Sequence, residues 1–153
     1  MARPLLTLAQ PFRSETLALC DALLTRQAVK NLLHYLQETN GEAHLWLTNY
    51  LAANGTPPVD SQNGAQGWLA RLAAQPVVVL QDPLRAMTVK REDELPEFLR
   101  EVSPRDIAER LLALRLDIAD EVRVSLEKVS TANSAILLKT LSITMSESPP
   151  LED

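Results

Sequence analysis

The sequence predicts an all-α protein, a short helical bundle with one long helix near the C-terminus. Three observations point there. All four glycines (Gly41, Gly55, Gly64, Gly67) fall in one window, which leaves the flanks free of glycine. Neither glycine nor proline occurs between Phe12 and Asn40, nor between Arg105 and Ser148. In both stretches apolar residues recur at three- and four-residue steps, the spacing of one helix face.

The first helix is expected to begin at Ser14, a good N-cap, with Glu15 favourably placed against the helix dipole. Leu17, Cys20, Leu24, Ala28, Leu32 and Leu36 form its apolar stripe, widened by Val29 and Leu33. Asn40-Gly41 supplies a left-handed stop. A second helix runs from about Glu42 to Ala53 with Leu45, Trp46, Tyr50 and Leu51, and Asn54-Gly55 ends it in the same way. The short link makes the two helices neighbours in a hairpin.

The middle of the chain is broken up. Thr56 to Gly67 (TPPVDSQNGAQG) reads as a polar loop that tolerates shortening. Trp68 to Ala74 has room for two helical turns before Pro76. Val77 to Leu80 is a β-branched run with no obvious strand partner, and an ordered or half-ordered insertion is expected there. Met87 to Arg100 is charge-dense, with Pro96 near the start of any helix it joins.

The last stretch carries the best start signal. Ser103 stands at an N-cap, Pro104 at the first helical position and Asp106 three residues on. Ile107, Leu111, Leu114, Ile118, Val122, Leu126 and Val129 follow as an apolar stripe. It continues through Ile136, Leu137 and Leu141, with a bend expected near Asn133. A helix from Pro104 to Val129 spans roughly 38 Å at about 1.5 Å per residue. A bundle this small cannot cover such a stripe, so part of it needs a partner. The organisation is thus a helical domain over 1–145 and a disordered acidic tail over 146–153.

Composition narrows the function. The 153 residues are 46 % hydrophobic and 23 % charged, as in an ordinary globular domain. A net charge of −5 speaks against a nucleic-acid binder, and no run is apolar enough to span a membrane. Aromatics are only 4 %, so a largely aliphatic core is expected. Cys20 is alone and, among leucines, reads as a small core residue. His34 and His44 are the two histidines and belong to no HExxH pattern, so no metal is expected. No Walker loop, GxGxxG or GxSxG is present, and the acids around Glu92 to Glu97 read as a solvated face. The expectation is a helical binding protein, with no cofactor and no catalytic set.

Particular strings go further. Residues 24–47 read LTRQAVKNLLHYLQETNGEAHLWL, residues 49–54 read NYLAAN, and residues 107–122 read IAERLLALRLDIADEV. Together these resemble RbcX, the assembly chaperone of the Rubisco large subunit, and in particular its type II branch from algae and plants. The resemblance covers about half the chain in two blocks. It implies an arc-shaped homodimer of helical bundles, each with one very long helix. A central groove would hold the C-terminal peptide of the large subunit, and polar corners would clamp dimers of that subunit. It implies the chloroplast stroma as location. Carried over by matching position, the peptide groove would comprise Leu23, Thr25, Arg26, Gln27 and Val29. The polar corner would comprise Tyr35, Glu38, Thr39, Asn40, Arg110 and Arg115. Leu23 and Arg26 stand where the cyanobacterial groove commonly has tyrosines, and Tyr35 where the corner has glutamine. Gly41-Glu42 replaces a proline pair, and the link from Trp46 to Arg110 is longer than the family's, so the resemblance implies an insertion within about residues 55–96. Without the resemblance, Leu23, Val29 and Leu33 read as ordinary core and Arg110 as an i, i+4 partner of Asp106. The alternative function is a helical adaptor or oligomerisation module unrelated to Rubisco.

Overall fold

The structure, a computed structural model, describes residues 3–81 and 99–147. It is mostly helical. Helix α1 spans Arg3–Thr39, α2 Gly41–Asn54 and α3 Gly64–Ala73. Strands β1 (Val78–Gln81) and β2 (Leu99–Val102) precede helices α4 (Pro104–Glu127) and α5 (Val129–Glu147). The chain forms two compact units, residues 1–118 and 119–153.

Helix α1 does not start at Ser14. It begins eleven residues earlier, at Arg3, and runs through Pro11. Pro4 sits in the first turn, where a missing N–H costs nothing, and the leucines and alanine between the prolines are strong helix formers. Ser14 Oγ instead accepts from Gln62 Nε2 at 3.5 Å. Cys20 is exposed rather than buried, because the inward face of α1 runs through Ala22, Thr25, Val29, Leu32 and Leu36.

The α1–α2 connection is also tighter than a left-handed stop. Asn40 alone joins the helices, with φ −153° and ψ 89°, and its Oδ1 accepts from Ala43 N at 3.2 Å. Asparagine here caps the next helix instead of ending the last, so Gly41 is already helical. Gly55, in contrast, has φ 77°, and its N–H closes α2 on Leu51 O at 2.8 Å.

The core of the first unit is aliphatic along α1 and α4 but aromatic in the middle. Trp46 stacks on Tyr50 at 5.2 Å between centroids, and Tyr50 meets Trp68 edge-on at 5.8 Å. A low aromatic content does not make the core purely aliphatic, because these three rings concentrate there. Trp68 donates Nε1–H to Gly55 O at 3.0 Å, and Pro57 is buried with its carbonyl bonded to Arg26 Nε at 2.7 Å. The segment after Gly55 is therefore pinned at both ends. Its turn ends at Gly64, where an added Cβ would lie 2.6 Å from Pro58 Cγ and Ser61 Oγ.

The β-branched run does find a partner. Strand β1 pairs antiparallel with β2 in the register Val78↔Val102, Val79↔Glu101, Leu80↔Arg100 and Gln81↔Leu99. Val102 is buried and Val78 and Leu80 pack against the core, while Val79 and Glu101 face outward, the alternation of a half-buried strand. In the sequence the pairing is hidden, because the partner strand follows a charge-dense segment. Residues 82–98 of that segment, including Glu92 to Glu97 and Pro96, lie outside the described residues.

Helix α4 starts as expected. Ser103 Oγ accepts from Asp106 N at 3.4 Å, and Pro104 is buried at the first position. Ile107, Ala108 and Leu111 are buried.

In the second unit the break falls at Lys128 rather than near Asn133. Lys128 N bonds back three residues to Ser125 O at 3.2 Å, and Ala132 N resumes the helix on Lys128 O. Ser125 Oγ also bonds to Glu121 O at 3.0 Å, a back-bond that tends to bend helices. Helix α5 has no buried residue, and Ile136, Leu137, Leu138 and Leu141 are exposed. Of the tail expected to be disordered, Ser146 and Glu147 end α5 and residues 148–153 lie outside the described residues.

Candidate functional site

Two clefts meet at Arg110. The larger, of about 340 Å³, is lined from α1 by Asn31, Leu32 and Tyr35 and from α4 by Arg110, Ala113, Leu114 and Asp117. The smaller, of about 100 Å³, runs from Arg110 and Asp106 to Asn40, Ala43, Glu101 and Ser103. The α4 contribution to the larger cleft falls at i, i+3, i+4 and i+7, one stripe turned slightly from the core stripe of Ile107 and Leu111. Tyr35 is 56 % exposed and Arg110 is exposed too.

Arg110 does not pair with Asp106. Among the described residues the ion pairs on α4 are Arg105–Glu109 at 3.5 Å and Arg123 with Asp120 and Glu127 at 3.9 and 2.9 Å. Among the described residues Arg110 makes no ion pair and no side-chain hydrogen bond. A guanidinium held at a cleft mouth with all its N–H groups uncommitted can grip a carboxylate or carbonyl of a partner.

The remaining corner positions divide by role. Glu38 and Thr39 are exposed at the end of α1, and Thr39 Oγ1 is spent on Tyr35 O at 2.8 Å. Asn40 is committed to capping α2. Arg115 is half-buried and points at α1, where its Nη1 donates to Thr25 Oγ1 at 3.4 Å. Arg115 thus braces α4 on α1, while Arg110 faces the clefts.

The groove positions also separate. Thr25 is fully buried and Val29 is 4 % exposed, both on the inward face of α1. Leu23 is 52 % exposed and Gln27, one turn on, is exposed and bonded to Asn31 Oδ1 at 2.8 Å. Arg26 is tied to Pro57 O. The exposed face of α1 at these positions is therefore the Leu23–Gln27 side, where Leu19 and Cys20 are also exposed. The neighbouring leucines suggest a core position for Cys20, but its place three residues before Leu23 carries the signal of a shared face.

Asn31, Leu114 and Asp117 carry no site signal in the sequence. Their i, i+4 and i, i+7 relations to Tyr35 and Arg110 mark them once the cleft is known. Among the described residues no group of three or more His, Cys, Asp or Glu is placed to hold a metal, and no helix is long and apolar enough to cross a membrane.

Compared with family models, curated proteins and solved structures, the chain matches none.

Proposed function

We propose that the chain is an assembly chaperone of the RbcX kind. It acts as a homodimer that holds the C-terminal peptide of the Rubisco large subunit in a groove, clamps large-subunit dimers at its polar corners, and works in the chloroplast stroma. It uses no cofactor and performs no catalysis.

The observation that carries this reading is the meeting of the two resembling blocks. Residues 55–106 separate them in the chain, yet Arg110 of the second shares clefts with Tyr35 and with Asn40 of the first, and Arg115 bonds to Thr25. Arg110 is left uncommitted there, as a corner contact requires. The exposed Leu23 supplies apolar area for a peptide, at about 25 cal/mol per Å² removed from water. The exposed leucines and isoleucine of α5 supply area for a second copy.

That second feature serves an oligomerisation module equally well, which is the competing reading. Titrating the C-terminal peptide of the Rubisco large subunit into the protein separates the two. Saturable binding that is lost with Leu23→Asp supports the chaperone. A self-associating protein that ignores the peptide supports the module.

A further inference from the structure

A third cleft, of about 500 Å³, lies between α1 and α2 and shares only Asn31 with the Arg110 cleft. Lys30, His34 and Gln37 line it from successive turns of α1, Leu33 adds an apolar wall, and His44 enters from the first turns of α2. The single-residue link at Asn40 is what returns His44 to the neighbourhood of His34. Both histidines of the chain therefore line one open cleft.

The lining is rich in N–H donors. In a chain with 20 acids against 15 Lys and Arg, no aspartate or glutamate among the described residues lines this cleft. Its polar side chains are an ammonium, two imidazoles and two carboxamides, all of which donate N–H. Among the described residues the side chains of Lys30, His34, Gln37 and His44 make no hydrogen bond or ion pair. Asn31 Oδ1 is already occupied by Gln27 Nε2, so its Nδ2 is the atom left to donate.

We propose that this cleft binds an oxyanion, a carboxylate or phosphate carried on a small apolar body. The donors that line the cleft, with no carboxylate among them, make hydrogen bonds to the anion, charge-assisted from Lys30, and Leu33 with the lysine stem covers the apolar part. This cleft uses none of the groove residues and neither arginine of the corner, and it meets the Arg110 cleft only at Asn31.

The test follows the histidine ring signals of the full chain by NMR at pH 7. Benzoate, phenyl phosphate and sodium chloride are added at matched ionic strength, with zinc chloride as a fourth arm. The expected result is that both His34 and His44 signals move together and saturate with benzoate or phenyl phosphate, the tighter arm naming the class. Lys30→Met and His44→Gln should each weaken that binding by at least about five-fold. His34→Gln repeats the test at an exposed position, and the amide spectrum reports the fold of every variant. Shifts no larger than those with sodium chloride, or affinities untouched in the variants, overturn the proposal. So does a response to zinc alone, which would make the histidine pair a metal site.

Discussion

Arg115 and Thr25 are joined by a hydrogen bond of 3.4 Å although ninety residues separate them in the chain. Thr25 Oγ1 accepts it while donating to Asp21 O at 2.6 Å, so one buried hydroxyl links a turn of α1 to α4. Replacing Thr25 by valine keeps the shape and helix geometry but strands the Arg115 N–H. The expected loss is about 1 kcal/mol in urea unfolding. A double-mutant cycle with Arg115→Ala should give a coupling near that size, and strict additivity would show that the bond contributes nothing.

Leu23 and Val29, both groove candidates by sequence, should behave oppositely. Val29→Asp places a carboxylate in the core and should unfold the first unit, a loss of at least about 3 kcal/mol. Leu23→Asp should leave the melting temperature nearly unchanged and abolish binding of the large-subunit peptide. A folded Leu23→Asp protein that binds the peptide normally would remove the groove from this side of α1.

Arg110→Ala should change stability by less than about 0.5 kcal/mol, because the side chain is exposed and makes no internal bond. Peptide binding should persist while assembly of large-subunit oligomers fails, since a charge at a rim sets docking and register. Peptide titration beside an assembly assay checks both halves. Loss of the peptide in a folded Arg110→Ala protein would merge corner and groove into one surface.

The segment after Gly55 reads from sequence as dispensable, but its contacts make it structural. Trp68 is 1 % exposed, and Trp68→Ala should cost about 3–5 kcal/mol. Gly55→Ala forces a residue with a Cβ to φ 77° and should cost about 1–2 kcal/mol. Deleting residues 56–63 should lower the melting temperature sharply, because it removes the Pro57 carbonyl from Arg26. Calorimetry of the three variants checks this, and a deletion that melts like the parent would make the segment a dispensable insertion after all.

The exposed apolar residues of α5 should be covered by a second copy. Leu137→Glu with Leu141→Glu should turn the dimer into a monomer, with the near-ultraviolet signal of Trp46 and Trp68 unchanged because both lie in the first unit. Light scattering over a hundred-fold range of concentration measures it, and a parent protein that is monomeric throughout would end the dimer proposal.

The α1–α2 hairpin, the Ser103 cap and the inward stripe of Val29, Leu32, Leu36, Ile107 and Leu111 are legible in the sequence, because helical periodicity and capping are local. So is the kind of helix end at Gly55, where only glycine adopts that φ cheaply. The start of α1 at Arg3 and the break at Lys128 are not. Packing alone settles the rest, which is non-local: that Asn40 caps α2, that Val78 pairs with Val102, that Thr25 is spent on Arg115 while Leu23 stays outside. Each of these depends on which partner lies across the fold. Spacing along one helix names a face, but packing against α2, α3 and the start of α4 chooses which face is buried, and that choice separates core from site.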